Sequence, residues 1–209
     1  MPVPLALGQT RRPILIVPGL HDSGEGHWQR RWLEQLPTAS KVEQANWERP
    51  TLAEWVLGLV EAIRQNPGAI LVGHSLGCAL IAHVTRLGGG RGIGGAMLVA
   101  PAELNGGGPA GPLLQGFGPM PLPPLPFPSV VVASRNDPYV PLERAEIFAR
   151  SWGAVFVNLG LAGHVNIASG HGPWPEGLAL LGDLLHRTEQ APQVSKTTAW
   201  RACASAGPG

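Results

Sequence analysis

The chain reads as an α/β protein, a three-layer αβα sandwich built on a six-stranded parallel sheet. Two patterns predict this. Short, wholly apolar runs recur along the sequence, and amphipathic helical segments separate them. A run without polar alternation suits a strand buried on both faces, and the intervening helices supply the cover. Size agrees with one such domain: 209 residues, 44% of them hydrophobic, suffice for a single core.

The elements follow in order. Residues 14–17, Ile-Leu-Ile-Val, form the first strand and stop at Pro18-Gly19. A helix over residues 26–36 places Trp28, Trp32 and Leu36 on one face at a spacing of four. Weaker alternation over 40–45 suggests the second strand. Thr51 and Glu54 form a capping box that opens a helix with Leu52, Trp55, Val56, Leu59, Val60 and Ile63 as its apolar stripe. Asn66-Pro67-Gly68 ends it. Residues 69–72 make the third strand, and a helix over 76–87 follows at once, stopped by Gly88-Gly89-Gly90. Residues 96–100, 130–133 and 155–157 supply the remaining strands. Helices cover 142–152, with Pro141 at the first helical position, and 175–187. The domain therefore spans 13–187, after an N-terminal extension over 1–12. The polar stretch 188–209 has no apolar period and is expected to be a disordered tail. Residues 105–128 are rich in Gly and Pro, a loop over the carboxyl ends of the strands and not a helical cap.

Composition removes several classes of function. The formal net charge is +1 with no basic cluster, so neither a nucleic-acid surface nor a polybasic membrane patch is expected. No apolar run is long enough to span a bilayer, and the first residues lack the basic and hydrophobic regions of a secretory signal. Two cysteines, Cys78 and Cys203, make no disulfide framework, so a reducing, cytoplasmic setting is expected. No set of residues with zinc-ligand spacing occurs, and neither a metal nor an organic cofactor is called for.

The chemistry resides in Gly73-His74-Ser75-Leu76-Gly77, a G-x-S-x-G pattern set between a buried strand and a helix. That setting is what a nucleophile elbow requires, and it aims the helix amides at the hydroxyl. A serine hydroxyl needs a base, and the base an orienting acid, in the chain order Ser, acid, His. Only three aspartates exist. Asp22 precedes the serine and Asp183 sits on a late helix, whereas Asp137 lies in a loop at the carboxyl end of the fifth strand. Among the histidines that follow, His164 occupies a strand-end loop. His171 is its alternative, and His186 ends the last helix. The oxyanion donors are expected to be the amides of Leu76 and of Leu20. His21, His74, Trp47, Tyr139 and Trp174 are expected to touch substrate, beneath an apolar rim of Leu113, Leu114, Phe117, Met120, Leu122 and Leu125.

These residues resemble the small α/β-hydrolases of the retinoblastoma-binding-protein-nine type. The resemblance rests on Pro18-Gly19, His27-Trp28, Trp32, Asn46-Trp47, the elbow, Asn136-Asp137-Pro138-Tyr139, Gly163-His164-Val165-Asn166 and Gly170-His171-Gly172-Pro173-Trp174-Pro175. It implies a compact α/β-hydrolase fold without a large cap domain, a bacterial member, and the triad Ser75, Asp137 and His164. One member type binds retinoblastoma protein through L-x-C-x-E. Here the stretch Leu76-Gly77-Cys78-Ala79-Leu80 lacks the glutamate, so that partner does not carry over. The reading is a serine hydrolase of the carboxylesterase kind, acting on a small-molecule acyl substrate through an acyl-enzyme, as a monomer or small homo-oligomer. Ester, thioester and amide leaving groups stay open. Two rivals also stand: a catalytically silent interaction module, and acyl transfer or perhydrolysis with the same triad.

Overall fold

The computed structural model describes residue 8 and residues 10–104 and 111–190. Six strands form one parallel sheet: β1 (Ile14–Val17), β2 (Ala39–Lys41), β3 (Ala69–His74), β4 (Ile93–Val99), β5 (Ser129–Ala133) and β6 (Val155–Asn158). Their order across the sheet is β2-β1-β3-β4-β5-β6. Between them run α1 (Trp28–Gln35), α2 (Leu52–Gln65), α3 (Leu76–Arg86), α4 (Leu142–Trp152) and α5 (Pro175–Gln190).

The apolar runs work on both faces at once, because successive strand side chains point to opposite sides. Leu15, Val17 and Leu71 pack with Trp55 and Leu59 of α2, with α3, and with Phe148 and Trp152 of α4. Ile14, Ile16, Ile70 and Val72 face the other way, onto Trp28 and Trp32 of α1 and Leu181, Leu184 and Leu185 of α5. The chain thus makes the three layers that the sequence predicts. Strand order reverses direction between β1 and β3, and in sheets of this kind ligands bind where the crossovers diverge.

Several boundaries differ from expectation: β4 begins at Ile93, three residues before the expected 96, β3 runs on to His74, and α1 covers only Trp28–Gln35 of the expected 26–36. β2 is a three-residue edge strand that ends at Lys41, earlier than the 40–45 alternation indicates. Pro141 is the residue before α4, not its first, because its ψ of 142° is extended. α5 continues to Gln190, three residues past the expected end. Its polar composition hides a buried contact: Thr188 is 6% exposed, its hydroxyl donates to the Leu185 carbonyl, and Gly95 on β4 leaves the space it fills. Most of the N-terminal extension, residues 105–110 and the tail from 191 lie outside the described residues. No cap layer occurs among the described residues. From 111 the β4–β5 connection holds one helical turn, Gly111–Leu114, and then a short 3₁₀ turn. Its Phe117, Met120 and Leu125 belong to the core and not to a rim, whereas Leu113 and Leu122 are exposed.

Candidate active site

Ser75 is a single-residue turn between β3 and α3, with φ 53° and ψ −118°. Left-handed φ is costly for a residue with a Cβ and persists only where the surroundings over-determine it. Here the Ser75 amide donates to the Val99 carbonyl at 3.0 Å, and the Ser75 carbonyl accepts from the Cys78 amide at 3.0 Å. Gly77 permits the turn: a Cβ there would collide with the carbonyls of Val17 and Pro18. Gly19 completes the fit from the other side, since a Cβ on it would stand 3.0 Å from Ser75 Cβ and 3.3 Å from the Leu76 nitrogen. The loop after β1 therefore passes directly beside the serine. Neither the Leu20 nor the Leu76 amide is paired with a backbone carbonyl among the described residues.

Asp137 and His164 meet from two adjacent loops at the carboxyl ends of β5 and β6. His164 Nδ1 lies 3.0 and 2.9 Å from the two Asp137 carboxylate oxygens, and the aspartate side chain is fully buried. A carboxylate only accepts, so Nδ1 carries the proton and Nε2 is the basic nitrogen. Asp137 is fixed in turn by the Tyr139 amide, which donates to Oδ1 at 2.8 Å across Pro138. The two loops are also laced together. The Gly163 amide donates to Asn136 Oδ1 at 2.8 Å, and the Ser134 hydroxyl donates to the Gly163 carbonyl. Asn136 and Ser134 escape a search for titratable groups, although their place beside Asp137 is visible in the sequence.

The peptide after the histidine is held from below. His74 Nε2 donates to the His164 carbonyl at 2.9 Å, and Trp28 Nε1 donates to the Val165 carbonyl at 2.8 Å. Val165 has φ 48°, an outlying conformation for a β-branched residue. Desolvation on burial pushes the His74 pKa down, and the neighbouring His164 adds to this. Neutral His74 must then be the Nε2–H tautomer. It lines the pocket, yet at 6% exposure it acts more through the His164 loop than on a ligand.

His27, absent from the sequence-based site, also lines the pocket. Burial, then the neighbouring His164, lowers its pKa to about 4. A histidine whose folded pKa is depressed stabilises the fold above its unfolded value, and that contribution is lost as pH falls. Stability should therefore decline between about pH 6.5 and pH 4, by up to roughly 3 kcal/mol from this group. Urea midpoints measured across that range should slope less in His27→Asn. Equal slopes would show that another group carries the acid lability.

One pocket of about 960 Å³ is lined by Ser75, Asp137 and His164 together with Leu20, His21, His74 and Tyr139. Tyr139 meets the His164 ring edge-on at 4.6 Å between centroids. The other two aromatic residues expected there lie elsewhere. Trp174 is 4% exposed and stacks on Trp32 in the α1–α5 layer, because its apolar surface closes that core. Trp47 packs edge-on against Trp55 under the Lys41 ammonium and touches the site only through its carbonyl, which accepts from the His21 amide. His171 bonds locally to Ser169 and is not a pocket wall. Acidic groups in or beside the pocket have cationic or imidazole partners: Asp22 with Lys41 at 2.8 Å, Glu103 with Arg144, and Glu48 with His21 at 2.8 Å. No cluster of three metal-binding side chains occurs among the described residues, and none of their helices is long and apolar enough to cross a membrane.

The profile of the family described as serine hydrolase matches residues 14–183. A crystallised protein described as a YdeN-like hydrolase from Pectobacterium atrosepticum is 34% identical over 84% of this chain and 91% of its own, with a TM-score of 0.75. The ydeN gene product of B. subtilis is 22% identical, covering 84% of this chain and 99% of its own, with a TM-score of 0.67. Thermogutta terrifontis esterase 2 is 17% identical over 90% of this chain and 87% of its own, at a TM-score of 0.62. The last two likenesses establish the fold alone. A search of curated protein sequences returned no match.

Proposed function

The chain belongs to the serine hydrolase family, and from that premise we propose that it cleaves small, uncharged carboxylic esters through a triad of Ser75, His164 and Asp137. The observation that carries this reading is the His164–Asp137 pair, which turns Nδ1 to the carboxylate and leaves Nε2 free to act as base in the same pocket as a serine on a strained elbow. His164 Nε2 takes the proton as Ser75 Oγ attacks the acyl carbon. The tetrahedral oxyanion is received by the amides of Leu76 and Leu20, and Asp137 stabilises the imidazolium. The imidazolium then protonates the departing alcohol. Water, deprotonated by the same nitrogen, attacks the acyl-enzyme and releases the acid.

Uncharged substrates fit because the acidic groups of the pocket are already partnered, and an added charge would be desolvated without compensation. Leu20, Leu113, Leu114 and Val140 provide apolar contact for an acyl chain. A fluorophosphonate probe tests the proposal directly. Wild type should become covalently labelled at Ser75, and Ser75→Ala should not. Folded wild type that resists the probe would sink the hydrolytic reading and favour the interaction module.

A further inference from the structure

We infer that Gln29, acting through Ser23, is a positioning residue for the oxyanion loop; this rests on the proposed role of the Leu20 amide. Gln29 sits in the first turn of α1 and is fully buried between that helix and the sheet. A buried primary amide is costly unless both its ends are bonded. Its Nε2 donates to the Val72 carbonyl at 3.0 Å and lies 3.5 Å from the Val17 carbonyl. Its Oε1 accepts from the Ser23 hydroxyl at 2.5 Å. Carbonyl partners on one side and a hydroxyl on the other fix which way the amide faces.

The three partners are not scattered. Val72 lies three residues before Ser75 on the strand that carries it. Val17 ends β1 and opens the segment Pro18-Gly19-Leu20. Ser23 closes the same loop after two successive left-handed residues, His21 at φ 65° and Asp22 at φ 64°. A loop with two such residues in succession needs an external hold. The Trp47 carbonyl and Lys41 hold His21 and Asp22 from the side of β2, and Gln29 ties the far end of the loop to the carboxyl ends of the two strands at the switch point. Leu20 lies between the tied ends, so its amide is held in register with the serine.

Ser23→Ala cuts the loop link and keeps the Val72 bond; it also strands the buried Gln29 oxygen, so a loss of stability accompanies it and the kinetic readouts carry the test. With p-nitrophenyl acetate, kcat should fall about tenfold or more while KM stays within about twofold. Affinity for a trifluoromethyl ketone, which forms the tetrahedral adduct, should fall by the same factor as kcat. Gln29→Leu should reproduce the pattern with an added loss of thermal stability. A Ser23→Ala enzyme with wild-type kcat and ketone affinity would overturn the inference, even if its melting temperature dropped. Wild type that neither hydrolyses the ester nor takes the fluorophosphonate would instead remove the hydrolytic reading, and the inference with it.

Discussion

Ser75→Ala is expected to lower kcat/KM on short p-nitrophenyl esters by on the order of 10⁴- to 10⁶-fold, with folding intact. The serine is the nucleophile in the proposed mechanism, so no other group can form the acyl-enzyme. His164→Ala should fall into the same range, because a serine hydroxyl without a base is a weak nucleophile. Asp137→Asn should cost roughly 10⁴-fold for a different reason. Asp137 accepts from His164 Nδ1 with both oxygens, which sets the tautomer. An asparagine amide can turn its NH₂ toward the ring and impose the opposite tautomer, leaving Nε2 protonated and unable to act as base. The three single variants should be far from additive, since each disables one shared device. Steady-state kinetics with active-site titration measures all three. Asp137→Asn within tenfold of wild type would show that the acid is not part of the machinery.

Much of this site is legible in the sequence because its chemistry is local. The elbow is five contiguous residues, and its strand and helix flank it directly. Asp137 and His164 stand out because aspartates are few and because each follows an apolar run into a loop. What stays hidden depends on tertiary partners. Trp174 and Trp47 have the composition of pocket walls, yet the α1–α5 layer and Trp55 claim them. Phe117 reads as part of a loose Gly/Pro segment, but it is fully buried against Trp55, and its carbonyl accepts from His83. Gln29 and Ser134 are neutral and belong to no motif, and Asn136 enters the sequence reading only as the neighbour of Asp137. Their importance lies in which backbone carbonyls and amides the fold brings to them, 43 residues away in the case of Gln29 and Val72.

Trp28 carries the largest expected effect on stability. It is fully buried, edge-on to Trp32 at 4.7 Å and to Trp174 at 5.0 Å, and its indole N–H holds the Val165 carbonyl. Trp28→Ala removes the ring and leaves a cavity, which should cost about 3–5 kcal/mol. For a domain of this length that corresponds to a fall in Tm of roughly 6–20 °C. Trp28→Phe separates packing from the hydrogen bond. It keeps most of the aromatic contact but leaves the Val165 carbonyl unpaired, at about 1–3 kcal/mol. Val165 is held at φ 48° immediately after His164, so release of its carbonyl lets the strained peptide relax and the imidazole shift. Trp28→Phe should therefore lose more in kcat than its modest drop in Tm suggests, with the His164–Asp137 pair loosened. Melting curves and kcat measured on both variants decide the matter. A Trp28→Phe enzyme with reduced Tm and unchanged kcat would mean that His74 alone suffices to hold the base in place.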